Sequence, residues 1–420
     1  MINPLLLTPE VQQYIREQLH KNVSDIALRK SPFEGVLSKE LANQVEGIQR
    51  CRQKLPSWYH QQGLFYPKKL SLEQSSSELT AFYKASALAP NSQIADLTGG
   101  FGVDSTAFSR FAGAVYYNEQ VDELAEIVRH NAQVFGAKSL QVSTGTAEDF
   151  LAKLQPGKLD VIYLDPARRN EGRKVYKITD CQPNVVNLLP ELKQKAKEIW
   201  VKLAPMLDVS DAIKSLPGLN EIQVSSVGGE CKELLCKIGS QQDVNDVKIV
   251  AVCLKRTAEC FIMHESKAWE QYSNQIHGNI QEISFLMETE KNAKPFYSLP
   301  ETYLYEPDAA LLKAGAYKYT SVHYGINKLH AHTHLYTSKT LIETFMGKIS
   351  EVISTQPFST LKKRKNTLSG NVITRNFPLK AEEIRKKYKI GESPDVNYYC
   401  CTDLNGELIV IETRTTHLIR

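Results

Sequence analysis

Ile94-Ala-Asp-Leu-Thr-Gly-Gly-Phe-Gly-Val-Asp-Ser105 decides the fold. An apolar run short enough for one buried strand meets a glycine turn, and a helix pattern follows. Glycine lets the backbone lie against a ligand where a Cβ would stand in the way. A dinucleotide turn reads G-x-G-x-x-G and sets a pyrophosphate on the helix N-terminus. Here Ser105 takes the third glycine position, and an acid, Asp96, opens the turn. A carboxylate there repels phosphate and suits a ligand with an ammonium group. S-adenosylmethionine (SAM) is such a ligand. The turn therefore predicts SAM rather than NAD, held by Asp96, Gly99, Gly100 and Gly102.

The same rhythm runs on downstream. Apolar runs at Ala114–Asn118, Leu140–Ser143, Val161–Leu164, Ile199–Leu203, Glu221–Val224 and Val247–Leu254 alternate with helix patterns such as Gln120–Phe135 and Pro183–Lys197. Such alternation predicts an α/β fold, a Rossmann-like parallel sheet with helices on both faces. With the run at Ile94 this makes seven strands, within residues 91–257. Ligands of open parallel sheets sit at the carboxyl ends of the strands, and further acids fall there. Glu119 ends the second strand, placed to accept both ribose hydroxyls. Thr144-Gly-Thr-Ala-Glu-Asp149 follows the third and offers the Ala147 N–H and Glu148 or Asp149 to an adenine edge. One such acid alone reads as a solvated loop residue; three at successive strand ends read as a site.

The flanks differ. Residues 1–90 read as helical: Val11, Ile15 and Leu19 share a face, as do Leu41, Val45 and Ile48, and Ser77 is placed as an N-cap with Glu78 in the first turn. After Thr257 the strand–helix rhythm stops, with one apolar run at Cys260–His264 and then prolines at 295, 300 and 307. The tail reads as mixed α+β. It predicts helices over Leu341–Ile353 and Lys380–Lys389, and a hairpin of Asn397–Thr402 with Leu408–Thr413 around Asn405-Gly406.

Composition excludes several classes. The chain is 42% apolar and 23% charged, ordinary for a soluble protein, and its 420 residues suggest two or three domains. No run of about 18 apolar residues exists, so no membrane contact is expected. The first residues lack a basic segment before their short apolar run, which argues against a secretory signal. Eight scattered cysteines with no C-x-x-C pair read as buried thiols of a reducing, cytoplasmic compartment. Net charge is only +4, but residues 331–420 carry 14 Lys and Arg against 9 Asp and Glu. That excess points to a tail facing an anionic partner. His330-Ala-His-Thr-His334 puts three histidines on one side of an extended segment, yet no closed ligand set accompanies them. An ordinary strand is expected there, and no metal.

The fourth strand leads into Asp165-Pro-Ala-Arg-Arg169. This resembles the Asp/Asn-Pro-Pro-aromatic loop of amino-methyltransferases, in which the first residue and the next carbonyl hold a planar amine in line with the methyl group. The resemblance assigns those roles to Asp165 and the Pro166 carbonyl. Ala167 stands for the second proline and Arg168 for the aromatic; Arg168 is carried as a third catalytic residue. The full pattern looks like a bacterial family of class I methyltransferases with a C-terminal THUMP-like domain. It is carried by Leu72-Glu-Gln-Ser-Ser-Ser-Glu-Leu-Thr-Ala81, Asp96–Asp104, the Asp165 loop, Lys202-Leu-Ala-Pro-Met-Leu-Asp208 and Tyr303-Leu-Tyr-Glu-Pro-Asp-Ala-Ala310. The core also resembles trimethylguanosine synthases, including Asn131-Ala-Gln-Val-Phe-Gly136. The resemblance implies a seven-stranded methyltransferase core, SAM as cofactor, and Gln74, Thr98, Asp104 and Gln120 as further contacts to it. It implies a ferredoxin-like connecting region at 258–335 and a THUMP-like RNA-binding domain at 336–420. Because THUMP domains of related enzymes bind structured RNA, it also implies a tRNA or rRNA substrate.

Residue chemistry agrees with an anionic substrate. Arg169 and Arg173 lie beside the Asp165 loop, and the tail offers Lys362, Lys363, Arg364, Arg385 and Lys386 with aromatics nearby. Three readings stay open: methyl transfer to an RNA base, methyl transfer to a small molecule or protein, and a non-catalytic SAM-binding RNA factor.

Overall fold

Each apolar run of the central region forms a strand in the computed structural model, which describes residues 2–168, 178–239, 246–255, 279–363 and 368–415. These are β1 (Gln93–Asp96), β2 (Ala114–Glu119), β3 (Leu140–Thr144), β4 (Leu159–Leu164), a short ladder of β5 (Ala167–Arg168) with β6 (Cys181–Gln182), then β7 (Ala196–Leu203), β8 (Leu219–Val227), β9 (Glu230–Gly239), β10 (Lys248–Leu254) and β11 (Ile280–Leu286). Among the described residues the large sheet has the order β11-β10-β8-β9-β7-β4-β1-β2-β3. From β3 to β7 all neighbours are parallel, whereas β9 runs antiparallel to β7. The order reverses at β1, with β2 on one side and β4 on the other. This is the switch point at which open α/β sheets bind ligands.

Like β11, β9 is a strand of the large sheet that the sequence reading missed. It enters through Gly228-Gly229, whose φ values of 62° and 78° suit a two-residue hairpin turn. It then slots between β7 and β8. The Rossmann-like core is thus β3-β2-β1-β4-β7-β9-β8, and β10, expected as its seventh strand, lies beyond it with β11.

The chain divides into two compact units. The first is Met1–Ile222 with Lys232–Asn245 and Leu254–Ile280; the second is Gln223–Cys231, Asp246–Cys253 and Gln281–Arg420. In the first unit, the N-terminal helices Pro9–Glu17, Ser38–Lys54 and Glu78–Ser86 share one hydrophobic core with β1, β2 and β4. Trp58 closes it, 4.5 Å from Phe101 and 4.8 Å from Phe135 between ring centroids. Ser77 caps Glu78–Ser86 as its position predicts, its hydroxyl accepting the Thr80 N–H.

The second unit contains a sheet of β12 (Tyr303–Pro307), β13 (Asn327–Lys328), β14 (Tyr336–Ser338), β15 (Gly347–Pro357), β16 (Asn371–Arg375), β17 (Val396–Thr402) and β18 (Leu408–Thr415), in the order β13-β14-β12-β15-β18-β17-β16. β17 and β18 form the hairpin expected around Asn405-Gly406. The helix expected over Leu341–Ile353 is absent. Ile349, Val352, Ile353 and Thr355 are β-branched, and β15 pairs with β12 on one side and β18 on the other. The Cys260–His264 run lies outside the described residues. No described helix is long and apolar enough to cross a membrane, and no disulfide forms among the described cysteines.

Candidate functional site

The glycine turn is held in shape by its own acid. Asp96 is buried at the end of β1; its Oδ1 accepts the Thr98 N–H (3.1 Å) and its Oδ2 the Ser105 hydroxyl (2.6 Å). Gly100 and Gly102 take φ values of 53° and 77°, in the left-handed region that favours glycine. A Cβ on Gly99 would stand 2.0 Å from the Tyr117 ring, and one on Gly102 would stand 2.8 Å from Val128. On Gly100 it would meet nothing nearer than 3.9 Å, so this backbone is open to a ligand. Glu119 reaches back from β2, its Oε2 accepting the Gly100 N–H (2.8 Å) and its Oε1 the Val121 N–H (2.9 Å). Each oxygen keeps acceptor capacity for a hydroxyl. Beside it, the Asn118 amide donates to the Gly145 carbonyl (2.9 Å), and the Thr146 hydroxyl caps Ala147–Lys153 by accepting the Asp149 N–H (3.0 Å). Ala147 is buried; Glu148, Gln120 and Gln74 are exposed.

This donor set fits SAM. An open glycine backbone, a buried acid and a second acid with hydroxyl-accepting capacity match its charge and its ribose. Burial pushes the Asp96 carboxyl up to about 7 from the ordinary 3.8, against the hydrogen bond from Ser105. The folded chain therefore holds this proton more tightly than the unfolded chain, and ionising it costs stability as pH rises from about 4 to about 7. A cationic ligand favours the ionised form. SAM affinity is accordingly expected to fall as pH drops below about 7, approaching tenfold per pH unit. Calorimetric titration from about pH 7 to about pH 5.5 checks this, and Asp96→Asn should bind weakly with a flat profile. Equal wild-type affinity across that range would refute the role of Asp96.

Asp104 has a different place from the one expected. It is buried behind the turn, accepting the Ser76 hydroxyl (2.7 Å) and the Tyr163 hydroxyl (2.8 Å). Lys84 stands 3.3 Å from its Oδ1 and Lys202 3.7 Å from its Oδ2. Burial alone would raise its pKa, but these two cations hold the carboxyl well below the usual range. Lys84 also pairs with Glu233 at 2.5 Å. Lys202 pairs with Asp165 and donates to Ser76 at 3.0 Å. Burial would lower the Lys202 pKa, yet Asp165, Asp104 and Glu233 raise it well above its ordinary value. The chain Asp165–Lys202–Asp104–Lys84–Glu233 thus lies beneath the site, with Ser76 at its centre. Sequence reasoning missed Ser76, Lys84, Lys202 and Glu233 as site residues.

Asp165 follows β4 directly. Its N–H donates to the Thr98 hydroxyl (2.5 Å), which ties the Asp165 loop to the glycine turn. The side chain is about one-third exposed (32%). Oδ2 is held by Lys202, and Oδ1 has no partner among the described residues. Burial raises its pKa, opposed by Lys202. Pro166 is buried. Ala167 and Arg168 pair through their backbones with Gln182 and Cys181. The Arg168 side chain lies outside the described residues, as do Arg169 and Arg173.

In the second unit, Lys362, Arg385 and Lys386 are exposed. Arg385 and Lys386 stand on Ala381–Lys387, which is anchored by buried Ile384. Arg385 pairs with Glu392 at the surface, an interaction that solvent screens. The Lys363 side chain and Arg364 lie outside the described residues. Arg375 is tied to buried Glu306. The segment His330–His334 is a turn rather than the expected strand, and His334 stacks on Tyr317 with ring centroids 3.9 Å apart. Among the described residues no group of three or more His, Cys, Asp or Glu could hold a metal.

Comparison with known proteins adds the family. A ferredoxin-like domain family matches residues 303–345, and a THUMP-like domain family matches residues 347–415. No curated protein matches the chain. The crystal structure of a candidate methyltransferase from Porphyromonas gingivalis W83 is 30% identical, spans 99% of this chain and 100% of its own, and superposes with a TM-score of 0.84. SMU.1697c of Streptococcus mutans, a candidate methyltransferase solved with S-adenosylhomocysteine, is 12% identical over 38% of this chain and 97% of its own, TM-score 0.29. The yhhF candidate methyltransferase of Escherichia coli is 19% identical over 39% of this chain and 86% of its own, TM-score 0.30. The full-length match and the matched tail give the family: this chain belongs to the class I SAM-dependent methyltransferases that carry a C-terminal THUMP-like domain.

Proposed function

We propose that the protein transfers the methyl group of SAM to a base of structured RNA, rRNA or tRNA. The observation that carries the reading is Asp165, fixed at the carboxyl end of β4, tied to the glycine turn through Thr98, with one oxygen held by Lys202 and the other without a partner among the described residues. Asp96, Thr98, Gly99, Gly100, Gly102, Glu119 and Ala147 hold the cofactor in this reading, with Gln74, Gln120 and Glu148 at its rim and Asp104 supporting from behind. SAM supplies the electrophilic methyl group. Asp165 and the Pro166 carbonyl orient the nucleophile, and orientation is most of the catalysis in an in-line displacement. Residues 1–90 and 91–257 serve transfer, while 258–335 and 336–420 serve capture of the RNA.

The exposed cations of the tail support RNA as partner, together with the match to a THUMP-like domain. Contacts to phosphate release counterions, so RNA affinity is expected to fall steeply with salt. Replacing Lys362, Arg385 and Lys386 together by Ala should flatten that slope and weaken binding about uniformly across RNA sequences. Filter binding over a salt series measures it. An unchanged slope would remove these residues from the interface.

A further inference from the structure

Lys202 occupies a position that the in-line transfer makes use of. The parallel register pairs Leu164 of β4 with Val201 of β7, so Asp165 and Lys202 are the next residues side by side. On the other flank Lys202 is paired with Leu235 of β9. Its backbone is therefore set in the middle of a sheet, where a side chain is aimed more tightly than on a loop. Its ammonium is shared among Asp165 Oδ2, Ser76 Oγ (3.0 Å) and Asp104 Oδ2 (3.7 Å). An ammonium has three donors and no acceptor; two are directed at Asp165 and Ser76, and the nearby Asp104 charge adds attraction without a hydrogen bond, which together leave the group little freedom.

We infer that Lys202 is the positioning residue of the transfer: it holds the Asp165 carboxylate by Oδ2 and so presents Oδ1 to an N–H of the substrate. The inference rests on the function proposed above. It also narrows the substrate. A carboxylate accepts hydrogen bonds and donates none, so the nucleophilic nitrogen must bear hydrogen, as an exocyclic amine does. A bare ring nitrogen would set its lone pair against Oδ1. In the transfer, the amine nitrogen forms the N–CH3 bond as the S–CH3 bond breaks, and the electron pair of that bond stays on sulfur, giving the neutral thioether. The proton lost from nitrogen is taken at Asp165 Oδ1 and passes to solvent.

The charged and titratable groups facing this pair are Asp104, Lys84 and Glu233, with Asp96, Tyr163 and Lys54 nearby. The test is carboxyl-carbon NMR titration of the full-length, SAM-free protein, with the Asp165 signal assigned by its loss in Asp165→Asn. Lys202→Met removes the adjacent cation and should raise the Asp165 midpoint by about 1–3 pH units. Lys202→Arg should return it close to wild type. If Lys202→Met does not fold, Lys202→Gln keeps a donor to Ser76 without the charge and should show the same rise. The acidic limb of kcat for RNA methylation should move with the midpoint in Lys202→Met, with KM for SAM unchanged. An Asp165 midpoint unmoved in a folded Lys202→Met or Lys202→Gln protein overturns the inference. So does a fall in kcat that is equal at every pH in the Met and Arg variants. A midpoint that moves while wild type labels no RNA supports the positioning role and rejects the RNA substrate.

Discussion

Asp165→Ala is expected to lose methyl transfer by about 10²–10³ in kcat, the range seen when one preorganised catalytic hydrogen-bonding group is removed. SAM binding should change little. The reason lies in how the loop is fastened. The Asp165 N–H bonds to Thr98 Oγ1, and this backbone contact survives in the alanine variant. The glycine turn is held by Asp96 and Glu119, which the change does not touch. Only the carboxylate goes, and with it one of the partners of Lys202. Asp165→Asn keeps an acceptor oxygen but not the charge, and its activity should fall between the two. Single-turnover transfer from labelled SAM, paired with calorimetric SAM titration, separates the steps. Asp165→Ala protein that transfers at the wild-type rate would remove Asp165 from the chemistry. Loss of SAM binding in step with activity would make it a cofactor residue instead.

The largest expected effect on stability comes from Lys84→Met. Lys84 is 1% exposed and stands between Glu233 and Asp104, both also buried. Its removal leaves two buried carboxylates with Lys202 as their remaining cation. Breaking a buried pair by deleting one partner costs about 3–5 kcal/mol, because the orphaned charge keeps its desolvation penalty. For a unit of this size that is a fall in Tm on the order of 10 °C. Removing the orphan as well, in Lys84→Met with Glu233→Leu, should recover much of the loss, since apolar replacement of a whole buried pair is often neutral. Thermal melts of the wild type, the single variant and the double variant make the test. A single variant as stable as wild type would mean that the network is solvated and carries no such load.

The parts read correctly from sequence share one property: local pattern determined them. The strand–glycine turn–helix unit, the Ser77 cap and the Asn405-Gly406 hairpin are each settled within a few residues. The buried charge network is not of that kind. Ser76, Lys84, Asp104, Lys202 and Glu233 come from separate elements and meet only after packing. One signal was available, since Lys202 interrupts the apolar run Ile199–Leu203, and a charge inside a buried strand needs a partner. For β9 the signal was Gly228-Gly229 between two apolar segments, a hairpin turn read past because the helix–strand rhythm led elsewhere. Leu341–Ile353, expected as a helix, is instead strand from Gly347 on, because its β-branched residues pair on both sides of β15.

SAM-dependent methyl transfer to RNA is tested by incubating the purified protein with labelled SAM and total RNA from cells lacking it. Label is expected in one RNA species, on a nitrogen that bears hydrogen before transfer, and none with Asp165→Ala. Absence of label from every RNA, with SAM bound normally, would rule out RNA as the methyl acceptor.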